Sequence, residues 1–152
     1  MAASSGFYSV HGDAQAVSTA ITVLEVTAPS SGSLEIVRAW LSQSSSTTSA
    51  MARVQLLRKT ATITGTASPP TPVPAQVGQA ASGVTVKWKA TAEGTDGVIY
   101  MDDAFNILSG WLWLPVPEER VFVPPSGIIA LKFPAAPTSA NWTFGIGYRE
   151  IG

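Results

Sequence analysis

Ser9, His11 and Asp13 stand two apart in SVHGD, a spacing that puts all three side chains on one side of an extended chain. A hydroxyl, an imidazole and a carboxylate in line are the parts of an acyl-transfer triad. That chemistry demands more than the parts: the imidazole must bond the hydroxyl with one nitrogen and the carboxylate with the other, and the acyl oxygen needs preorganised donors. An N-terminal segment running into His-Gly-Asp can hardly supply them, so we read a turn after a short first strand and expect no enzyme. Glu93, Asp96, Asp102 and Asp103 gather around TDG and MDD and offer hard oxygens to a calcium ion. Their spacing does not match an EF-hand loop, and aspartate suits turns on its own account. With one histidine and no cysteine, zinc and transition metals lack ligands as well. No metal and no cofactor is expected.

The tryptophans are the other residues that carry binding chemistry. Trp88 in VTVKWKA and Trp142 in NWTFGIGYRE lie on the apolar side of clean two-residue alternations, which predicts strands with Trp88 and Trp142 in a core. Trp111 and Trp113 share one face of GWLWLPV, and Leu112 and Leu114 occupy the other. A strand apolar on both faces fits a central position, a contact with another subunit, or a sugar-stacking platform.

The elements that must position these residues are strands throughout. LEIVRAWLSQ (34–43), MARVQLLRK (51–59), STAITVLEVT, VIYMDD and GIIALKFP are β-branched or alternating, and turn signals separate them. About eight strands at this spacing predict one all-β domain, a single jelly roll or β-sandwich over 16–152, preceded by an arm over 1–15. Pro69, Pro70, Pro72 and Pro74 keep residues 66–83 out of a sheet interior. That segment is either a solvated loop or an ordered arm across a neighbour.

Composition bounds the partners. Charged residues are only 12% of the 152 residues, about half the usual share, so part of a bland surface is expected to be covered. The net charge of −1 leaves no basic stripe for nucleic acid. No apolar run approaches the ~20 residues of a membrane span, and the N-terminus does not read as a secretory signal. The expectation is a chain made and kept in a cytoplasm until assembly.

In VPEERVFVPPSGIIALKF, Pro115 and Pro117 stiffen a turn that exposes Glu118, Glu119 and Arg120; a short strand 121–123 follows, and Pro124-Pro125-Ser-Gly makes a second corner. Ile129, Leu131 and Phe133 then face one way and Ile128, Ala130 and Lys132 the other. Apolar or small residues at 128 and 130, where a solvated strand carries charge, predict self-association along that face.

This order of a PEE turn, a strand, a PPSG corner, a strand, and a last aromatic-alternating strand ending in acidic-Ile-Gly resembles the small jelly-roll decoration, or cement, proteins of tailed-bacteriophage heads. YSVHG, RVQLLRKTAT and the TPVPAQVGQAASG loop extend the resemblance more loosely. It implies a homotrimer on the outer capsid surface of a virion, bound to the major capsid protein and stabilising the head. Phe7, Tyr8, Pro69, Pro70, Pro72, Pro74, Trp111, Trp113, Ile128 and Ala130 are the candidate partner-binding residues. A carbohydrate- or receptor-binding module of a phage fibre is the alternative.

Overall fold

A computed structural model describes residues 6–152, and the first part of the expected arm, residues 1–5, lies outside them. Among the described residues eleven strands run in chain order: β1 (Gly6–Val17), β2 (Thr22–Thr27), β3 (Ser33–Gln43), β4 (Met51–Lys59), β5 (Val73–Pro74), β6 (Thr85–Trp88), β7 (Asp96–Asn106), β8 (Trp111–Trp113), β9 (Val121–Val123), β10 (Ile128–Lys132) and β11 (Ala140–Ile151). They form two antiparallel sheets packed as a sandwich. One has the order β5-β1-β11-β3-β8 with β9 also on β3, the other β6-β2-β10-β4-β7. Strands β1 to β4 alternate between the sheets, and so do β7 to β11 once β8 and β9 are counted as one interrupted strand. This is the double Greek key of a jelly roll, with β5 and β6 added at the edges.

Alternation decides what lies between the sheets. On β11, Trp142, Phe144, Ile146 and Tyr148 are buried; on β10, Ile129 and Leu131 join them, with Phe133 just beyond the strand. Phe133 meets Trp142 edge-on at 4.9 Å between ring centres, and Tyr8 stacks on Tyr148 at 5.7 Å. Burial of these rings, at roughly 25 cal/mol per Å² of apolar surface, is the main source of stability in a chain without cysteines.

Three expectations are corrected here. From Gly6 on, the supposed arm is strand β1, an inner strand paired with β11 from Gly6–Glu150 to Val17–Ala140 and with β5 at Tyr8–Pro74. Trp111 is buried and donates its indole N–H to Asp103 Oδ2 at 3.1 Å, and Trp113 is half-buried against the core. Both tryptophans therefore turn inward from an edge strand, which leaves Leu112 and Leu114 outside, at 63% and 68% exposure.

The third correction concerns β10. Ala130 points away from the inter-sheet core, as the alternation predicts, yet it is fully buried. The chain covers this face itself. Residues 60–66 and 91–96 pair through the Thr64–Ala92 bridge and lie over Glu25, the outward neighbour of Ala130. The Thr62 hydroxyl and the Ile63 amide both donate to the Glu25 carboxylate, and Ile63 is itself buried. Ala130 is thus unavailable for self-association, and Ile128 beside it is only half-buried.

Candidate interaction face

The outer face of the six-stranded sheet is laid out by register. In one row Phe122 of β9 stands opposite Glu35, Glu35 opposite Arg149, and Arg149 opposite Phe7. The next row runs Arg38, Gly147, Ser9, Val73, and a third runs Leu112, Trp40, Gly145, His11. Neighbours within a row lie about 4.8 Å apart, one strand spacing. Among the described residues no segment crosses this face as 60–66 crosses the other sheet.

Two glycines shape the surface. A Cβ on Gly145 would fall 2.1 Å from Trp40 Cζ2, and one on Gly147 would fall 2.7 Å from Arg38 Cγ. Because β11 presents no side chain at either position, Trp40 and Arg38 lie flat across it. They stack on each other, the guanidinium carbon 4.7 Å from the ring centre. A flat, preformed Arg–Trp pair loses little rotamer freedom on docking, and these are residue types enriched in binding hot spots. Beside the pair lies a groove of about 300 Å³, walled on its far side by Phe7, Val73, Pro74 and Ala75.

The electrostatics of the face are lopsided. Arg120 and Arg149 share the carboxylate of Glu35, at 3.5 and 3.8 Å, and Arg38 has no carboxylate partner among the described residues. Arg149 also packs over Phe7, 5.8 Å from the ring centre. The face is therefore apolar, aromatic and locally cationic on a chain whose net charge is −1.

The structure brings together some of the sequence-predicted residues and separates others. Phe7 (48% exposed) and Pro74 wall the groove; Tyr8 reaches it from the core side, where its hydroxyl donates to Ala80 O at 2.9 Å. Pro69, Pro70 and Pro72 precede the groove on the segment that leads into β5, with Pro69 exposed and the other two half-buried. This segment is an ordered edge of its own sheet: Ala75 N–H donates to Phe7 O at 2.8 Å, and Ser82 Oγ donates to Glu150 Oε2 at 2.7 Å. Ser82 in turn lies 2.7 Å from the buried Tyr148 hydroxyl, whose ionisation burial pushes well above the ordinary phenol range. Trp111, Trp113, Ile128 and Ala130 lie elsewhere. Sequence reasoning passed over Arg38 and Trp40; the available signal was Gly145 and Gly147 alternating outward on the most regular strand, a track left clear for a neighbour's side chains.

The residues first considered for chemistry are placed as follows. His11 Nε2 is 3.4 Å from Asp13 Oδ2, His11 half-buried and Asp13 exposed, and Ser9 makes no hydrogen bond to His11. The acidic residues divide among cations. Glu93 and Asp96 bond Lys59 at 3.1 and 2.6 Å, Asp96 also bonds Lys132 at 2.6 Å, and Asp102 takes Arg53 and Gln55. No group of three or more potential metal ligands occurs among the described residues. Comparison with protein-family models, curated proteins and solved structures finds no match to this chain, so the fold and the face themselves carry the reading that follows.

Proposed function

We propose that the chain is a structural viral protein, a decoration or cement protein that binds the outer surface of a phage head as a homotrimer and stabilises it. The observation that supports this reading is the asymmetry of the sandwich. One outer face is covered over Glu25 and Ala130 by the chain's own loops; the other carries a preformed Arg38–Trp40 platform rimmed by Phe7, Val73, Leu112 and Phe122. An open face with aromatic and arginine anchors is suited to adhesion, and repetition across an icosahedral lattice multiplies a modest contact into firm attachment. The partners are sister copies and the major capsid protein, and the place of action is the virion surface after synthesis in the host cytoplasm.

Co-sedimentation with purified, undecorated phage heads tests the proposal. Wild-type protein is expected to pellet with heads and to raise their resistance to heat, and Trp40→Ala is expected to weaken retention at least about tenfold while keeping the wild-type circular dichroism. Glycan binding on an array without any head binding would instead favour the fibre-module alternative.

A further inference from the structure

Two features at the same height on the six-stranded sheet complement each other: an excursion at the β8/β9 edge, and a groove that begins at Arg38 beside it and ends at Val73 on the far edge. β8 and β9 pair with one edge of β3, Trp113 opposite Ala39 and Val121 opposite Ile36. Residues 114–120 therefore leave the sheet beside Arg38 and return to it. This excursion is apolar and acidic: Leu114 and Val116 are 68% and 55% exposed, and Glu118 and Glu119 stand exposed on the single 3₁₀ turn Pro117–Glu119. Neither glutamate has an ion-pair partner among the described residues. Pro115, Pro117 and the Arg120–Glu35 ion pair hold the excursion in shape, so little order remains to be imposed on binding.

From beside the excursion to the far edge of the sheet runs the groove: Arg38 opposite Gly147, Gly147 opposite Ser9, Ser9 opposite Val73. It is apolar and basic. Arg38 is an exposed cation without a carboxylate among the described residues, beside Val73 at 50% and Phe7 at 48% exposure. Each patch holds what the other lacks.

We infer that the 114–120 excursion of one copy seats in the groove of a second copy, with Glu118 and Glu119 meeting Arg38 and with Leu114 and Val116 meeting Phe7 and Val73. The donor and acceptor patches are different surfaces, so each copy can give its excursion to the next in a head-to-tail repeat. Such contacts close into rings when the rotation between copies allows, and a trimer is the ring that the proposed function requires. The inference rests on that reading only in taking the partner to be a second copy.

Light scattering at micromolar concentration tests it. The wild-type chain is expected to run as a trimer. Arg38→Glu alone, and Glu118→Lys with Glu119→Lys, are each expected to weaken assembly about tenfold or more, the loss that comes with opposing like charges across an interface. The variant carrying all three reversals restores complementarity and is expected to recover the wild-type mass. Each altered side chain is exposed, and matching thermal melts confirm that the variants fold. A monomeric wild type, single reversals that leave the trimer intact, or a combined variant that stays dissociated would each overturn the inference. Head binding is scored separately: heads bound by a monomer would keep head attachment and sink both this interface and the trimer of the proposed function, and a charge-swappable trimer that ignores heads would keep the interface and sink the decoration reading.

Discussion

Trp40 and Gly145 act as one unit. The indole lies where a side chain at 145 would be, and the absent Cβ is what allows Trp40 to rest flat on β11. Gly145→Ala is expected to push the ring off the strand, lowering stability by about 1–3 kcal/mol in urea unfolding and shifting tryptophan fluorescence to the red. In a Trp40→Ala background the same glycine change should cost about 1 kcal/mol less, since neighbours in contact do not contribute independently. Equal losses in both backgrounds would mean that the glycine serves backbone geometry and not the tryptophan. Exposure on its own would misjudge Trp40, because a half-buried tryptophan on an outer face looks like an incomplete core residue until the glycines beneath it are counted.

The pairing of segments 60–66 and 91–96 over the five-stranded sheet depends on charge. Lys59 has a fully buried side chain between Glu93 and Asp96, and Lys132 reaches the same aspartate. Burial would raise the pKa of Glu93, but bonds from the Thr22 amide (2.5 Å) and hydroxyl and from Lys59 outweigh it and hold the carboxyl below its usual range. At Asp96 burial is likewise outweighed, here by Lys132 and Lys59. At Lys59 burial favours the neutral amine, yet the bonds to Asp96 and Glu93 prevail and raise its pKa. The signs give a window. The two depressed carboxylates contribute stability that is present above the ordinary carboxylate range and lost as pH falls through their folded values, whereas the Lys59 contribution persists until pH climbs past the ordinary lysine value. Urea stability is therefore expected to drop between roughly pH 5 and pH 2. The Ile63 and Thr22 amides should lose hydrogen-exchange protection before Ile129 does. An acid titration in which all three amides open together would show that the covering layer has no independent hold.

At the scale of the molecule, the first described strand pairs with the last. β11 lies between β1 and β3 in the six-stranded sheet, so neither of these flanking strands has its inner partner until the end of the chain is present. Most pairings join distant parts of the sequence, and loop closure must precede them, which places refolding in the range of about milliseconds to seconds. A chain ending before Ala140 is expected to lack cooperative unfolding by circular dichroism. It would leave Val10 and Leu41 without the Trp142–Tyr148 row that buries them. A sharp transition in the truncated chain would contradict the central position of β11.

The alternation of residues along the chain determined the class of fold and much of the core. Trp142, Phe144, Ile146 and Tyr148 face inward as their spacing requires, and so do Ile129 and Leu131. The prolines placed the corners, and Pro69 to Pro74 kept their segment at a sheet edge. Alternation says only that adjacent residues oppose each other. Whether Trp111 or Leu112 turns inward depends on which sheet β8 joins, and that is decided by β3, far away in sequence. Whether Ala130 meets a sister copy or the chain's own loop depends on Glu25 bonding Thr62 and Ile63, contacts that no local pattern records. Tertiary structure decided these points because covering a face takes residues from distant segments, and periodicity carries information only about neighbours.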